Sequence, residues 1–199
     1  MKLQEVNDLF GDMDLPLMDA ILKGHLPATG SVLDAGCGAG RNALYFLKQG
    51  YTYHGWDNDP SQIQLLTYVA NGIQNIKANF QVVDLHEAGE SKDLHDVIIC
   101  SRVLHFAKDE DNFLNLVNTL RSNLKPKGVF YVAMDSAVDN TVAKPLDAFR
   151  WEFPDGKIRF ALTKAVYQKM KKGFEEIEPL KTFIQSDKRA HSFALLRKC

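Results

Sequence analysis

The chain has 199 residues, 45% of them hydrophobic, enough for one sizeable core and a single domain spanning 1–199. Twenty-four basic residues against 25 acidic ones leave a net charge of −1, which argues against a surface built to neutralise nucleic-acid phosphates. No apolar run reaches the roughly 18 residues of a membrane helix, the first residues do not read as a secretory leader, and the three cysteines form no C-x-x-C pair. The expectation is a cytoplasmic protein with no membrane partner, no disulfide framework and no metal site.

Residues 3–24 carry apolar side chains at helical spacing, interrupted between Gly11 and Pro16 and stopped at Gly24. They predict one or two amphipathic helices within an N-terminal cap over residues 1–30. The next stretch, Val32-Leu33-Asp34-Ala35-Gly36-Cys37-Gly38-Ala39-Gly40-Arg41-Asn42, reads as strand, tight turn, helix. Glycines in such a turn allow positive φ and let a ligand come closer than any Cβ would, while free N–H groups of the following helix point at it. An adenosine cofactor is the usual occupant. The dinucleotide fingerprint is G-x-G-x-x-G, but Arg41 stands where its third glycine belongs. Asp34, at the strand end, would repel a pyrophosphate and suit a ligand bearing a cation.

Tyr51 to Asp57 predicts a second strand, and Asp59-Pro60 a helix start that runs to Asn71-Gly72. Asp57 lies 21 residues beyond Gly36, where a carboxylate accepts both hydroxyls of an adenosine ribose. Phe80 to Leu85 reads as a third strand ending near Asp84, so three strands in succession finish in an acid. Carboxylates are poor strand residues, and a crevice at the carboxyl ends of parallel strands is where an open α/β sheet binds its ligand. His95 to Cys100 is the most uniformly apolar strand, as expected for the centre of a parallel sheet. A helix over Asp109 to Leu124 and a strand over Val129 to Met134 continue the alternation.

Asp135 to Phe160 is less regular and rich in aromatics. Pro154-Asp155-Gly156 would turn a short hairpin between Arg150–Phe153 and Lys157–Phe160. Ala161 to Lys172 reads as a helix; its lysine cluster at 169–172 fits the solvated end of a helix better than a nucleic-acid site. Phe174 to Ile184 and Ala190 to Arg197 predict a closing antiparallel hairpin, turned at Gln185 to Lys188. The fold class is α/β: a doubly wound, mostly parallel seven-stranded sheet (Rossmann-like) with a terminal antiparallel hairpin.

Val32 to Gly40, a hydrophobic pair, an acid and G-x-G-x-G, resembles the first motif of class I methyltransferases dependent on S-adenosylmethionine (SAM). The continuation Gly38-Ala39-Gly40-Arg41-Asn42 is similar to that of the small, single-domain tellurite and thiopurine methyltransferases. The resemblance covers residues 32–134 by motif. It implies in-line transfer of a methyl group from SAM to a small-molecule acceptor, with S-adenosylhomocysteine (SAH) as product. Alignment of the two reactants in a dry site can supply roughly 7–11 kcal/mol of the barrier, so neither metal nor covalent nucleophile is required.

The resemblance assigns cofactor contacts to Asp34, Gly36, Cys37, Gly38, Gly40, Asn42, Asp57, Asn58, Asp84, Leu85 and Ser101. Asp84 would accept from the adenine amino group and Ser101 would offer its carbonyl to the ammonium of SAM. Phe10, Met13 and Asp14 of the N-terminal segment fall where the family folds over the cofactor. His105, in the post-strand motif Ser101-Arg102-Val103-Leu104-His105-Phe106, is the candidate for a general base. That motif is not N-P-P-Y, which speaks against methylation of a nucleic-acid base. The insertion 135–160 would form a lid, with Arg150, Trp151, Phe153 and Arg159 lining the acceptor pocket and His191 near it. Two alternatives remain open: a SAM-binding sensor or partner subunit without turnover, and an NAD-dependent oxidoreductase. Asp34, the missing third glycine and the lack of a Tyr-x-x-x-Lys pair speak against the second.

Overall fold

The computed structural model describes residues 2–89, 94–138, 143–184 and 189–199. The chain opens with two short helices, α1 (Leu3–Phe10) and α2 (Leu15–Leu22), separated at Gly11, whose φ is +55°. Then come β1 (Ser31–Ala35), α3 (Ala43–Lys48), β2 (Thr52–Asp57), α4 (Pro60–Ala70), β3 (Lys77–Val82) and β4 (His95–Ser101). A single 3₁₀ turn (Leu104–Phe106) leads into α5 (Glu110–Ser122) and β5 (Leu124–Asp135). Three short strands follow, β6 (Lys144–Pro145), β7 (Arg150–Glu152) and β8 (Ile158–Phe160), before α6 (Lys164–Met170), β9 (Phe174–Ile184) and β10 (Ala190–Lys198).

Seven strands form one sheet in the order β3-β2-β1-β4-β5-β10-β9. Strands β1 to β5 are parallel, and β10 runs antiparallel to both β5 and β9, as the doubly wound reading expects. The order reverses between β1 and β4, so the crevice of the fold opens at their carboxyl ends. In β4, Ile98 and Cys100 face one core with α5 and α6, while Val97 and Ile99 face the other with α1 to α4. A strand segment buried on both sides can have no polar face, which is why Val97 to Cys100 are all apolar.

Helix starts follow local chemistry. Asp59 accepts from the Ser61 N–H at 2.8 Å with Pro60 at the first helical position, and Asp109 caps α5 through the Asn112 N–H at 2.7 Å. Three boundaries depart from expectation. β3 spans Lys77–Val82, because its pairing with β2 runs from Thr52↔Lys77 to Asp57↔Val82; Asp84 therefore lies in the loop beyond the strand. β5 begins at Leu124, opposite His95, and absorbs Pro126 to Gly128 as an irregularity with Lys127 at φ +62°. The last helix begins at Lys164, because Ala161 and Leu162 donate backbone hydrogen bonds to Phe149 and Asp135, and Thr163 caps the helix by accepting from the Val166 N–H. The expected turn at Gln185 to Lys188 lies outside the described residues.

The strands β6, β7 and β8 make a separate antiparallel sheet, with Arg150 opposite Phe160 and Glu152 opposite Ile158. A column of rings fastens it to the main body: Phe160 stacks on Phe113 of α5 at 4.9 Å and on Phe149 at 6.0 Å.

Candidate active site

The turn after β1 sits at the carboxyl end of the sheet, and its glycines do different work. Gly36 and Gly40 take φ of +81° and +91°, and a Cβ on either would fall 2.0 Å from Val103 Cγ2 or 2.4 Å from Leu66 Cδ1. These two are packing glycines. Gly38, at φ +52°, would meet nothing nearer than Gln62 Oε1 at 3.8 Å. Its open side is a place for a ligand. The Cys37 side chain is buried in the core, and its backbone shapes the turn by donating to the Trp56 carbonyl and accepting from the Gly40 N–H.

The Gly38 N–H donates to Asp57 Oδ2 at 2.8 Å, and the Asp59 N–H donates to Asp57 Oδ1 at 3.0 Å. Each carboxylate oxygen keeps a further lone pair, and the group is held in one orientation at the end of β2. A cleft of about 410 Å³ lies beside it, walled among others by Gly36, Trp56, Asn58, Asp84, Leu85 and Phe106. Asp84 is fixed by the His86 N–H, which donates to its Oδ1 at 2.9 Å. Mixed apolar and acceptor walls of this size suit a small organic ligand that offers hydrogen-bond donors to Asp57 and Asp84.

Asp34 lies elsewhere than a facing acid would. It is 1% exposed, walls neither cleft and accepts from the Tyr53 hydroxyl at 2.7 Å, under the turn. Burial pushes its carboxyl up to about 7, although the Tyr53 hydroxyl favours the anion. The reason is register: Asp34 pairs with Gly55 and Ile99 inside the sheet, one residue before the strand ends. Asn42 is likewise turned inward, its Oδ1 accepting from the Asp14 N–H at 3.0 Å.

The acid that reaches the mouth is Asp14, just before α2. Arg41 donates to both its oxygens, and the Ser101 hydroxyl at the end of β4 donates to Oδ2. This cluster joins the N-terminal cap, the glycine turn and the sheet. Beyond it opens a second, larger cleft of about 710 Å³ between α2 and the β5-β10-β9 face, bordered by Met13, Tyr131, Phe183, His191 and Phe193. Arg102 walls both clefts. Phe10 is buried, stacked on Tyr45 at 5.1 Å.

His105 does not reach either cleft wall. It is buried, 3.7 Å by Nδ1 from Asp135 Oδ2, and burial pulls its pKa down to about 4 against the pull of Asp135 upward. Asp135, 1% exposed at the end of β5, also has Arg159 Nε at 3.2 Å and His191 Nδ1 at 3.1 Å. A buried carboxylate needs such company. The four residues expected at an acceptor pocket are placed otherwise. Arg150 is exposed and pairs with Asp147; Trp151 and Phe153 pack with Ala143 and Ala161; Arg159 bridges Asp135 and Asp155. None of them walls the larger cleft, because β7 and β8 spend these side chains on the small sheet's own core and its attachment.

Arg41, Arg102, Tyr131 and Asp135 were not legible as site residues. Arg41 and Arg102 stood inside motifs already quoted, but Tyr131 lies in a continuous apolar strand that reads as core, and Asp135 just past its expected end at Met134.

A family model described as a methyltransferase domain matches residues 9–173. The ubiquinone biosynthesis O-methyltransferase of Rickettsia akari (strain Hartford) is 32% identical over 103 residues, 51% of this chain and 39% of that protein. The probable S-adenosyl-L-methionine-dependent methyltransferase TehB of Haemophilus influenzae is 25% identical over 128 residues, 64% of this chain and 43% of that protein. The chain thus spans about two fifths of the length of these curated relatives. Among solved structures, the 1,6-didemethyltoxoflavin-N1-methyltransferase of Burkholderia thailandensis, which holds 1,6-didemethyltoxoflavin and SAH, superposes with a TM-score of 0.72 at 18% identity, covering 98% of this chain and 83% of that one. With a family model matched over most of its length and this strand order, the chain belongs to the methyltransferase domain family.

Proposed function

We propose that this chain, as one domain over 1–199 with residues 1–30 as cap and 135–160 as lid, methylates a small organic acceptor in the cytoplasm. The observation that carries the reading is the pair of clefts at the carboxyl ends of β1, β4 and β5, sharing Arg102 as a wall. The smaller takes the adenosine and the larger the acceptor. When bound, SAM supplies a methyl group already activated on a sulfonium.

The chain's residues hold and align. Asp57, fixed by two backbone N–H groups, receives the ribose hydroxyls; Asp84, Leu85, Asn58 and the backbone of Gly36 border the adenosine; Gly38 leaves the turn open beside Asp57. Asp14, tied to Arg41 and Ser101, holds the cap in place and limits water at the junction. His105, held neutral by burial, serves packing beside Asp135, and no general base is assigned.

Calorimetric titration with SAM, SAH and NADH tests the donor site. Micromolar binding of the first two and none of NADH is expected, and Asp57→Ala should weaken SAH by on the order of 2–4 kcal/mol through two lost hydrogen bonds to a charged group. Binding of NADH alone overturns the reading.

A further inference from the structure

The larger cleft holds a cation that no ion pair engages among the described residues. Its apolar sides include Met13, Leu15 and the stacked pair Phe183 and Phe193, centroids 5.2 Å apart. Two of its cations are committed: Arg41 to Asp14, and Lys181 to Glu178 at 2.5 Å with Asp19 at 3.7 Å. His191 lies against Asp135. The Arg102 guanidinium, exposed, makes no hydrogen bond or ion pair among the described residues. Its backbone is held at φ +63°, a conformation L residues adopt at a cost, with its N–H donating to the Ala133 carbonyl at 2.7 Å. The fold thus spends strain to aim this side chain at the junction.

A second observation meets it there. The Tyr131 hydroxyl is buried without a hydrogen-bond partner among the described residues, on a side chain that walls the same cleft. It sits within the field of Asp14, Arg41 and Arg102, and burial holds it protonated, so it is a donor awaiting an acceptor. We propose that the larger cleft selects methyl acceptors with an apolar body and one anionic group, the anion held by Arg102 and the Tyr131 hydroxyl. This rests on the larger cleft being the acceptor's. A guanidinium at the rim and a neutral donor below it form a charge-assisted site for a carboxylate or sulfonate, whereas an amide or ester of the same shape would offer Arg102 one weaker acceptor and no balancing charge.

The test uses the full chain saturated with SAH and two fluorescent probes of nearly equal shape, 1-anilinonaphthalene-8-sulfonate and the neutral N-phenyl-1-naphthylamine. The sulfonate should bind about tenfold or more tighter than its neutral analogue. Arg102→Gln should level the two and Tyr131→Phe should weaken the sulfonate roughly threefold, while both variants hold SAH within about threefold of the parent. Lys181→Gln should leave the preference intact. Equal affinity of both probes, no binding of the sulfonate, or a preference that survives Arg102→Gln overturns the proposal. So does about a tenfold loss of SAH affinity in Arg102→Gln, since Arg102 would then serve the donor's carboxylate. If the parent chain fails to bind SAH at all, the donor site itself falls, and this proposal with it.

Discussion

At Gly36 a methyl group would sit 2.0 Å from a β-branched side chain, Val103, while at Gly38 its nearest neighbour would be Gln62 Oε1 at 3.8 Å, an ordinary contact. The two glycines of one motif therefore separate folding from binding. Gly36→Ala combines left-handed strain with overpacking and should cost on the order of 2–4 kcal/mol, lowering the unfolding midpoint by roughly 5–15 °C in a chain of this size. Gly38→Ala carries only the strain, about 1 kcal/mol, yet should weaken SAH by on the order of tenfold, because its Cβ points to the ligand side. Thermal unfolding and SAH titration of both variants check this. Equal loss of affinity and stability in the two would sink the distinction. The spacing of the motif was legible because only glycine tolerates such backbone. Which glycine faces packing and which faces ligand was not, since it depends on Val103 and Leu66, neither of which is local.

Among the elements, the N-terminal helices depend on one side chain. Asp14 accepts from Arg41, 27 residues away, and from Ser101, 87 residues away, while its own N–H is held by Asn42. Removing one partner of a buried pair costs about 3–5 kcal/mol; Arg41 is a third exposed and can turn to water, so Asp14→Ala should cost roughly 1–3 kcal/mol. The loss should be local. Amide exchange over residues 3–22 should rise well above that of β1 and β4, with SAH weakened as the cap loosens. Protection unchanged in 3–22 would show that the apolar contacts of Phe10 and Leu17 suffice. The start of helix α4 was readable from its cap, Asp59, because capping is a contact over two or three residues. The true start of α6 was not, because Ala161 and Leu162 are claimed by Phe149 and Asp135. Asp14 was named only as an acid near the mouth. Its partners are set by topology.

The whole molecule carries two buried groups whose titrations oppose each other. Asp34 holds its proton up to about 7 in the folded chain against 3.8 when free, so the fold binds the extra proton and is favoured at the acid end; that contribution is lost as pH rises from about 4 to 7. His105 loses its proton at about 4 against 6.5 when free, so its contribution is present above 6.5 and is lost as pH falls toward 4. The windows nearly coincide and the signs differ, so the two largely cancel and stability should vary little across them on their account. Single substitutions remove the compensation. Asp34→Asn should leave a protein that loses a few kcal/mol on acidification from pH 7 to 4.5, and His105→Gln one that loses a comparable amount on raising the pH over the same range. Urea unfolding of the parent and both variants at pH 4.5, 5.5 and 7 measures the slopes. Parallel slopes in all three would mean that neither group titrates where its burial directs. Both groups owe their shift to the same sheet: β1 draws Asp34 inward between Gly55 and Ile99, and the turn after β4 packs His105 beside Asp135 at the end of β5. The architecture that opens two clefts above the switch point thus buries an acid and a base beneath it, and their opposed titrations leave the platform steady while ligands exchange above.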